Sequence, residues 1–386
     1  MDLSNKINSI EISGIRKFYN KVIRVENSIS LTLGEPDFKI PREIKEAMKK
    51  SIDEDETTYT PNEGIMELRK EISKYLKTMD IDFLPEEVCL TVGGSEALLD
   101  TFTAILNEGE KVLIPSIAYP AYESCVNIVG GEVVNYDLKE DLSIDLLSLQ
   151  NLINEEKPKA IVISYPSNPT GRTMTKEECE ALHDMLVHED ILIISDEMYS
   201  SIVFEEYHTI SKYEDLKNKL ILIGGFSKMF SMTGIRVGYV CAEKWLLENI
   251  VKVHQYNVSC APSIGQYGAL EGLRNSMYHI EEMREDLKVR RDYVYGRILS
   301  MGLQAENPEG AFYIFPSIKS LGMSSEEFCE KLLNETKVAV VPGTAFGPGG
   351  EGYFRISYCY SKEKLEMALD LIQGFVQATR SEMNKE

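Results

Sequence analysis

The chain has 386 residues, 43% hydrophobic and 27% charged, with 62 acidic against 41 basic residues and a formal net charge of −21. That size suits two cores better than one. The acidic balance argues against general nucleic-acid binding, which needs a basic face, and no apolar run reaches membrane-spanning length. Seven cysteines, from Cys89 to Cys359, are scattered without a Cys-x-x-Cys pair. They fit structural thiols in a reducing cytosol better than a disulfide frame or a zinc site. The N-terminus, Met1-Asp2-Leu3-Ser4, lacks a signal-peptide core, so a cytoplasmic location is expected.

In chain order, the first chemically suggestive stretch is Thr91-Val92-Gly93-Gly94-Ser95-Glu96-Ala97-Leu98, a strand-like run meeting two glycines and a good helix sequence. Backbone N–H groups at a helix N-terminus bind phosphate. Gly94, Ser95 and Glu96 are the candidate donors, although an ordinary strand-to-helix turn reads the same way. The runs Val112–Ile114, Ala160–Ser164, Ile191–Ser195 and Leu220–Ile223 read as buried strands, with a helix over Lys176–His188. Short apolar runs alternating with amphipathic stretches predict a mostly parallel sheet covered by helices on both faces. Val237–Ala242 reads as an antiparallel addition.

Chemistry-bearing residues follow the ends of these strands. Asn168, in Tyr165-Pro166-Ser167-Asn168-Pro169-Thr170-Gly171, can donate to a phenolate oxygen, and a polar turn is the alternative. Asp196 ends a strongly apolar strand, so its carboxylate should be partly buried and in need of a cation. A protonated pyridine nitrogen would serve, with Tyr199 joining Asn168 at the ring oxygen; a helix N-cap is the alternative. Lys228 follows the Leu220–Ile223 strand, at the strand end where open α/β sheets place their chemistry. Its amine can form a Schiff base with an aldehyde cofactor, of which pyridoxal phosphate (PLP) is the commonest. Arg236 suits a phosphate. Beyond a long helix over Ser276–Leu299, the runs Ala311–Phe315, Val338–Val341 and Tyr353–Ser357 predict a smaller α+β unit. Arg355, among apolar neighbours, suits an α-carboxylate or a structural salt bridge. The expected division is an N-terminal segment over residues 1–40 folding back on the small unit, a large domain over 41–285 and a small domain over 286–386.

Together, Asn168-Pro169-Thr170-Gly171, Asp196-x-x-Tyr199 and Ser227-Lys228 with Arg236 resemble the class I aminotransferases, PLP enzymes of fold type I. The resemblance runs from Leu31-Thr32-Leu33-Gly34-Glu35-Pro36-Asp37-Phe38 to the Arg355 strand. It implies a large domain with a mostly parallel seven-stranded sheet, a smaller α+β domain and PLP as cofactor. The stretches Glu11–Phe18, Val253–Ala261 and Gly310–Pro316 are similar to a Gram-positive branch assigned as N-acetyl-LL-diaminopimelate aminotransferases, which serve lysine and diaminopimelate synthesis.

By that resemblance, Lys228 would hold PLP and shuttle the substrate proton. Asp196 would pair with the ring nitrogen, and Asn168 and Tyr199 with the ring oxygen. Gly94, Ser95, Glu96 and Arg236, with Ser227, would bind the phosphate. Arg355 would clamp the α-carboxylate beside Asn168 and the Gly34 backbone, and Ile15 would line the pocket. Tyr59 would reach the phosphate of a neighbouring subunit, which requires a homodimer, and Asn257 and Ser259 could also cross. Many relatives carry serine where this chain has Gly225, and Ile117 replaces an aromatic; Tyr119 is the expected ring-stacking residue, with Tyr122 in reserve. Arg16, Lys17 and Arg24 are candidates for a distal carboxylate, with solvated surface charge as the alternative. The implied reaction is amino transfer between an amino acid and a 2-oxo acid, with glutamate and 2-oxoglutarate as one pair. Aromatic or broad-range aminotransferase and C–S β-lyase remain alternatives.

Overall fold

A computed structural model describes residues 4–8, 10 and 12–383. Glu11 of the branch-like motif and the first three residues lie outside the described residues. The N-terminal segment contributes a short strand, β1 (Ile29–Ser30). The large sheet is built from β2 (Val88–Thr91), β3 (Lys111–Pro115), β4 (Glu132–Tyr136), β5 (Ala160–Ser164), β6 (Leu192–Asp196), β7 (Leu220–Gly225) and β8 (Gly238–Ala242). Its seven strands run in the order β2-β8-β7-β6-β5-β3-β4. All neighbours are parallel except at β8, which is antiparallel to both β7 and β2.

The apolar runs form central strands because both faces of the sheet are covered. Leu113, Ile161, Ile163, Ile193 and Leu222 pack on one side. Their sequence neighbours Val112, Val162, Ile194, Ile221 and Ile223 pack on the other. Each such side chain contributes about 1.5–3 kcal/mol by leaving water. β4 escaped the sequence reading for the converse reason. It is an edge strand, and its exposed Glu132 and Asn135 break the apolar run. The predicted helix after β5 runs over Lys176–Leu186, where Thr175 and Glu178 make a reciprocal capping box.

The C-terminal part carries β9 (Tyr313–Ile314), β10 (Val338–Ala339), β11 (Val341–Pro342) and β12 (Phe354–Ser357). The predicted Val338–Val341 strand is two short ones. β10 pairs in parallel with β1, while β11 joins the antiparallel sheet β11-β12-β9. Phe18, Val22 and Leu31 of the N-terminal segment pack in one cluster with Val294, Ile356 and Leu369. The intervening helix runs over Tyr278–Ser300. Among the described residues no helix is long and apolar enough to cross a membrane.

One buried carboxylate beside the sheet is held by hydroxyl groups alone. Glu197 accepts from Ser195 Oγ at 3.1 Å, Thr209 Oγ1 at 2.6 Å and Tyr207 Oη at 2.9 Å, and also from Ser211 Oγ. Burial raises its pKa and the four hydroxyls pull it back. Glu197→Ala strands four buried donors and should cost roughly 2–4 kcal/mol of stability. Urea unfolding of the variant should show that loss as a lower midpoint at unchanged slope.

Candidate active site

The carboxyl ends of the parallel strands meet at one edge of the sheet. β2 delivers Gly93–Glu96, β3 delivers Tyr119, β5 delivers Asn168, β6 ends at Asp196, and β7 leads into the short helix Phe226–Met229 that carries Lys228. This follows the rule for open α/β sheets, and the strand order reverses between β3 and β5. The peptide bonds before Pro166 and Pro169 are both cis.

Lys228 is surrounded by protein and donates to the Gly34 carbonyl. Burial lowers its pKa to about 8, with Arg236 and Arg355 adding to the effect and Cys359 and Glu35 opposing it. Asp196 is buried at the end of β6. Its Oδ2 accepts from Tyr122 Oη at 2.6 Å and its Oδ1 from the Met198 N–H at 3.0 Å. Burial raises the Asp196 pKa, and these two hydrogen bonds moderate the rise. No cation of the described residues forms an ion pair with it, so a protonated ring nitrogen fits the carboxylate.

Arg355 is 2% exposed on β12. It donates to Asn168 Oδ1 at 2.7 Å and to the Thr32 carbonyl. Its guanidinium carbon lies 4.4 Å from the centre of the Tyr313 ring and 4.8 Å from that of Phe346. Its Nε has no hydrogen-bond partner. Among the described residues no carboxylate lies within ion-pair distance of it. A guanidinium buried with aromatic walls, two carbonyl-type acceptors and a spare N–H is suited to a planar anion. Gly34 must be glycine here, because a Cβ would come within 1.8 Å of Tyr313 Oη.

The helix Gly93–Ile105 opens its N-terminus toward Arg236. Arg236 Nη1 donates to the Thr233 carbonyl at 2.8 Å, and Nη2 lies 3.4 Å from the Val92 carbonyl. Gly93 has φ +73°, and a Cβ there would meet Arg236 Nη2 at 2.4 Å. The unpaired amides of the first helical turn and this guanidinium are the donor set a phosphate needs. The Glu96 side chain is not part of it. Its carboxylate turns back to the Val92 N–H and to His254, leaving only the backbone as a donor.

The remaining expected residues fall as follows. Tyr199 Oη lies 2.7 Å from Tyr313 Oη, close to Arg355. Tyr119 packs edge-on against Tyr122, with ring centres 5.7 Å apart, and its hydroxyl neighbours Ser95. Tyr122 is fully buried with its hydroxyl on Ser164 and Asp196, so it braces the carboxylate and cannot stack on a ring in the cleft. Ile15 packs with Ile117, Phe315 and Phe346 beside Arg355. Gly225 backs onto Gly238, whose Cα would lie 3.1 Å from a Cβ, which makes a serine side chain a tight fit. Tyr59 is 87% exposed. Asn257 is exposed, and its amide donates to Asp100 of its own chain at 3.2 Å.

The family model for aminotransferase class I and II matches residues 26–372. The chain belongs to the class I and II aminotransferases. It is 43% identical to the "Probable N-acetyl-LL-diaminopimelate aminotransferase" of Bacillus subtilis, over 99% of this chain and 97% of that protein. It is 40% identical to "Aromatic-amino-acid aminotransferase 2" of Thermococcus litoralis, over 97% and 98%. Among solved structures, aspartate aminotransferase from Thermus thermophilus with maleate superimposes with a TM-score of 0.92 at 32% identity, covering 97% of this chain and 99% of that one. The seven-stranded aminotransferase fold expected from the sequence is the one observed, and the chain is an enzyme of amino-group transfer.

Three neighbours of the site were not singled out for it by sequence reasoning: Tyr313, Phe346 and the Thr32 carbonyl. Tyr313 lay inside a recognised strand motif with no sign of its partner, and Phe346 ends a short 3-10 turn over Gly343–Phe346 that carries no sequence pattern.

The Lys228 amine has a property that can be read without any cofactor. Competitive acetylation of the cofactor-free protein, followed by mass spectrometry, should give Lys228 an apparent pKa of about 8. Exposed lysines should titrate near 10.4. A Lys228 value above 10 would contradict the burial described.

Proposed function

We propose that this aminotransferase is PLP-dependent, with Lys228 as the covalent anchor and Arg355 as the α-carboxylate clamp. The observation that carries this reading is the buried Arg355 guanidinium, without a carboxylate partner among the described residues, near the half-buried Lys228. Asp196 has the complementary need for a cation. When bound, PLP would supply an aldehyde to accept the amino group and a protonated ring to withdraw electrons from the substrate Cα.

The residues of the chain would do the rest. The Gly94, Ser95 and Glu96 amides, Arg236 and Ser227 would hold the phosphate. Tyr119 would flank the ring, and Asn168 and Tyr199 would meet its oxygen. Arg355 would orient the α-carboxylate next to Asn168 and Gly34. Lys228, freed as an amine whose low pKa keeps part of it neutral, would take the proton from Cα and return one on the cofactor side. The exposed Tyr59 would complete a neighbouring subunit's phosphate site in a homodimer.

For the substrate, we infer N-acetyl-LL-diaminopimelate with 2-oxoglutarate and glutamate as the partner pair, in lysine and diaminopimelate synthesis. The support is the Bacillus subtilis relative and the similarity of the branch-like motifs. A second reading, an aromatic amino acid, is favoured by the apolar wall of Ile15, Ile117, Phe315 and Phe346 beside Arg355. A coupled assay with 2-oxoglutarate decides between them. Preference for the acetylated donor supports the first, preference for phenylalanine or tyrosine supports the second, and pyruvate from cystathionine without acceptor replaces transfer by elimination.

Two substitutions test the residue roles. Lys228→Ala should abolish turnover and the visible absorbance of the lysine-bound cofactor. Arg355→Ala should lower kcat/KM for amino and oxo acids by about 10²-fold or more while the PLP spectrum persists, as expected for a lost charged hydrogen-bond pair. Loss of PLP from Arg355→Ala would remove that residue from the substrate role.

A further inference from the structure

Beneath the phosphate-binding turn lies a buried cluster that the reaction does not use directly. His254 is fully buried near the end of the helix Lys244–Asn257. Its Nε2 is 2.9 Å from the Asn62 carbonyl oxygen, and its Nδ1 is 3.0 Å from Glu96 Oε1 and 3.7 Å from Asp100 Oδ2. A carbonyl oxygen only accepts, so Nε2 must carry a proton. Nδ1 faces a carboxylate whose other oxygen already accepts the Val92 N–H. A proton on Nδ1 gives that contact the character of a charge-assisted hydrogen bond.

The two ends of the imidazole therefore grip two different loops. One is the Val92–Glu96 turn, whose amides and neighbouring Arg236 form the phosphate donor set. The other is the Tyr59–Asn62 loop, whose tyrosine points out of the subunit. That loop is fixed further by Asn62 Nδ2 on the Ser259 carbonyl at 2.6 Å and by Gln266 Nε2 on Thr60 Oγ1 at 3.0 Å. Polar and titratable groups from several elements face the ring. Glu96 and Asp100 come from the helix Gly93–Ile105, and the Asn257 amide on Asp100 comes from the ring's own helix. The Cys89 thiol on β2 is pushed up by burial and by Glu63, Glu96 and Asp100. Burial opposes a charge on His254, but the hydrogen bond to Glu96 and the nearby Asp100 carboxylate outweigh it and raise its pKa to about 9.

We propose that His254 is a positioning residue, a doubly protonated imidazolium that locks the Val92–Glu96 turn to the Tyr59–Asn62 loop and thereby sets the affinity of the site for the cofactor's phosphate. The inference rests on the PLP reading above. A cation in this place also offsets the two buried carboxylates that otherwise lie behind a seat for a dianion. The same three side chains could in principle ligate a divalent cation, since their ligand atoms lie within 4.8 Å of one another. The direct hydrogen-bond distance between Nδ1 and Glu96 favours a proton there.

The test compares PLP with pyridoxal, which lacks the phosphate, in reconstitution of the cofactor-free full-length protein. His254→Asn is chosen to keep a donor toward Glu96, and His254→Gln to keep one toward Asn62. Both variants should weaken PLP by about 10-fold or more, the scale of one hydrogen bond to a charged group, and leave pyridoxal binding within about 2-fold. In the wild type, nitrogen-15 spectra of labelled histidine should show one ring protonated on both nitrogens at pH 8. Equal loss of PLP and pyridoxal, or unchanged PLP affinity, would overturn the proposal. So would stoichiometric zinc in the purified protein. A wild type that binds PLP no better than pyridoxal would sink the phosphate reading itself, whereas a phosphate-selective wild type with unaffected variants would sink the role of His254 alone.

Discussion

Among the described residues, Lys228 and Arg355 have no carboxylate in ion-pair contact to neutralise them. Lys228 and Arg355 rest on carbonyl oxygens from one short segment, Gly34 for the lysine and Thr32 for the arginine. Backbone carbonyls stabilise a cation without cancelling its charge, so the pocket keeps a positive potential in a protein of net charge −21. That potential is what a substrate carboxylate meets. It also adds to burial in depressing the Lys228 pKa, since Arg236 and Arg355 both oppose a third positive charge. On the roles proposed for Arg355 and Lys228, recognition and proton transfer draw on the same electrostatic arrangement.

Holding such a pocket together requires the segment from Leu31 to Glu35 to stay in place. It is pinned to the C-terminal part by Leu31 N–H on the Ala339 carbonyl at 2.8 Å and Ser357 N–H on the Leu31 carbonyl at 3.0 Å. Tyr360 Oη on the Leu33 carbonyl and Cys359 Sγ on the Glu35 carbonyl add to these. Packing of Leu31, Phe18 and Val22 under the small sheet supplies the apolar anchor. The segment is thus a shared wall, attached to the small sheet and facing a lysine delivered by the large one.

Much of the scaffold was legible in the sequence because a parallel sheet buried on both faces leaves continuous apolar runs. Val162, Ile194 and Ile221 had only one place to go. The residues at the strand ends were legible because Asp196 and Lys228 are costly at such positions without a chemical reason. What escaped was whatever depends on tertiary approach. Nothing local ties Tyr313 Oη to Tyr199, or Phe346 to a guanidinium. Glu96 was read as part of a phosphate turn, which suits its backbone, but its side chain answers to a histidine 158 residues away. The Asn257 amide likewise meets a carboxylate distant in the chain, Asp100.

The contact between Thr32 and Arg355 spans 323 residues, nearly the whole length of the chain. The proposed cofactor seat, by contrast, is drawn mainly from residues 93–236. During synthesis from the N-terminus, the strands and turns of that seat exist well before Arg355 leaves the ribosome. The N-terminal segment meanwhile has no small sheet to pair with, and its apolar side chains Phe18, Val22 and Leu31 stay without their final cover. Closing so long a loop is entropically late. On these proposed roles, the nascent protein has a stage at which the seat is assembled and the substrate clamp is not, so a cofactor bound there would guide folding before the enzyme could recognise an amino acid.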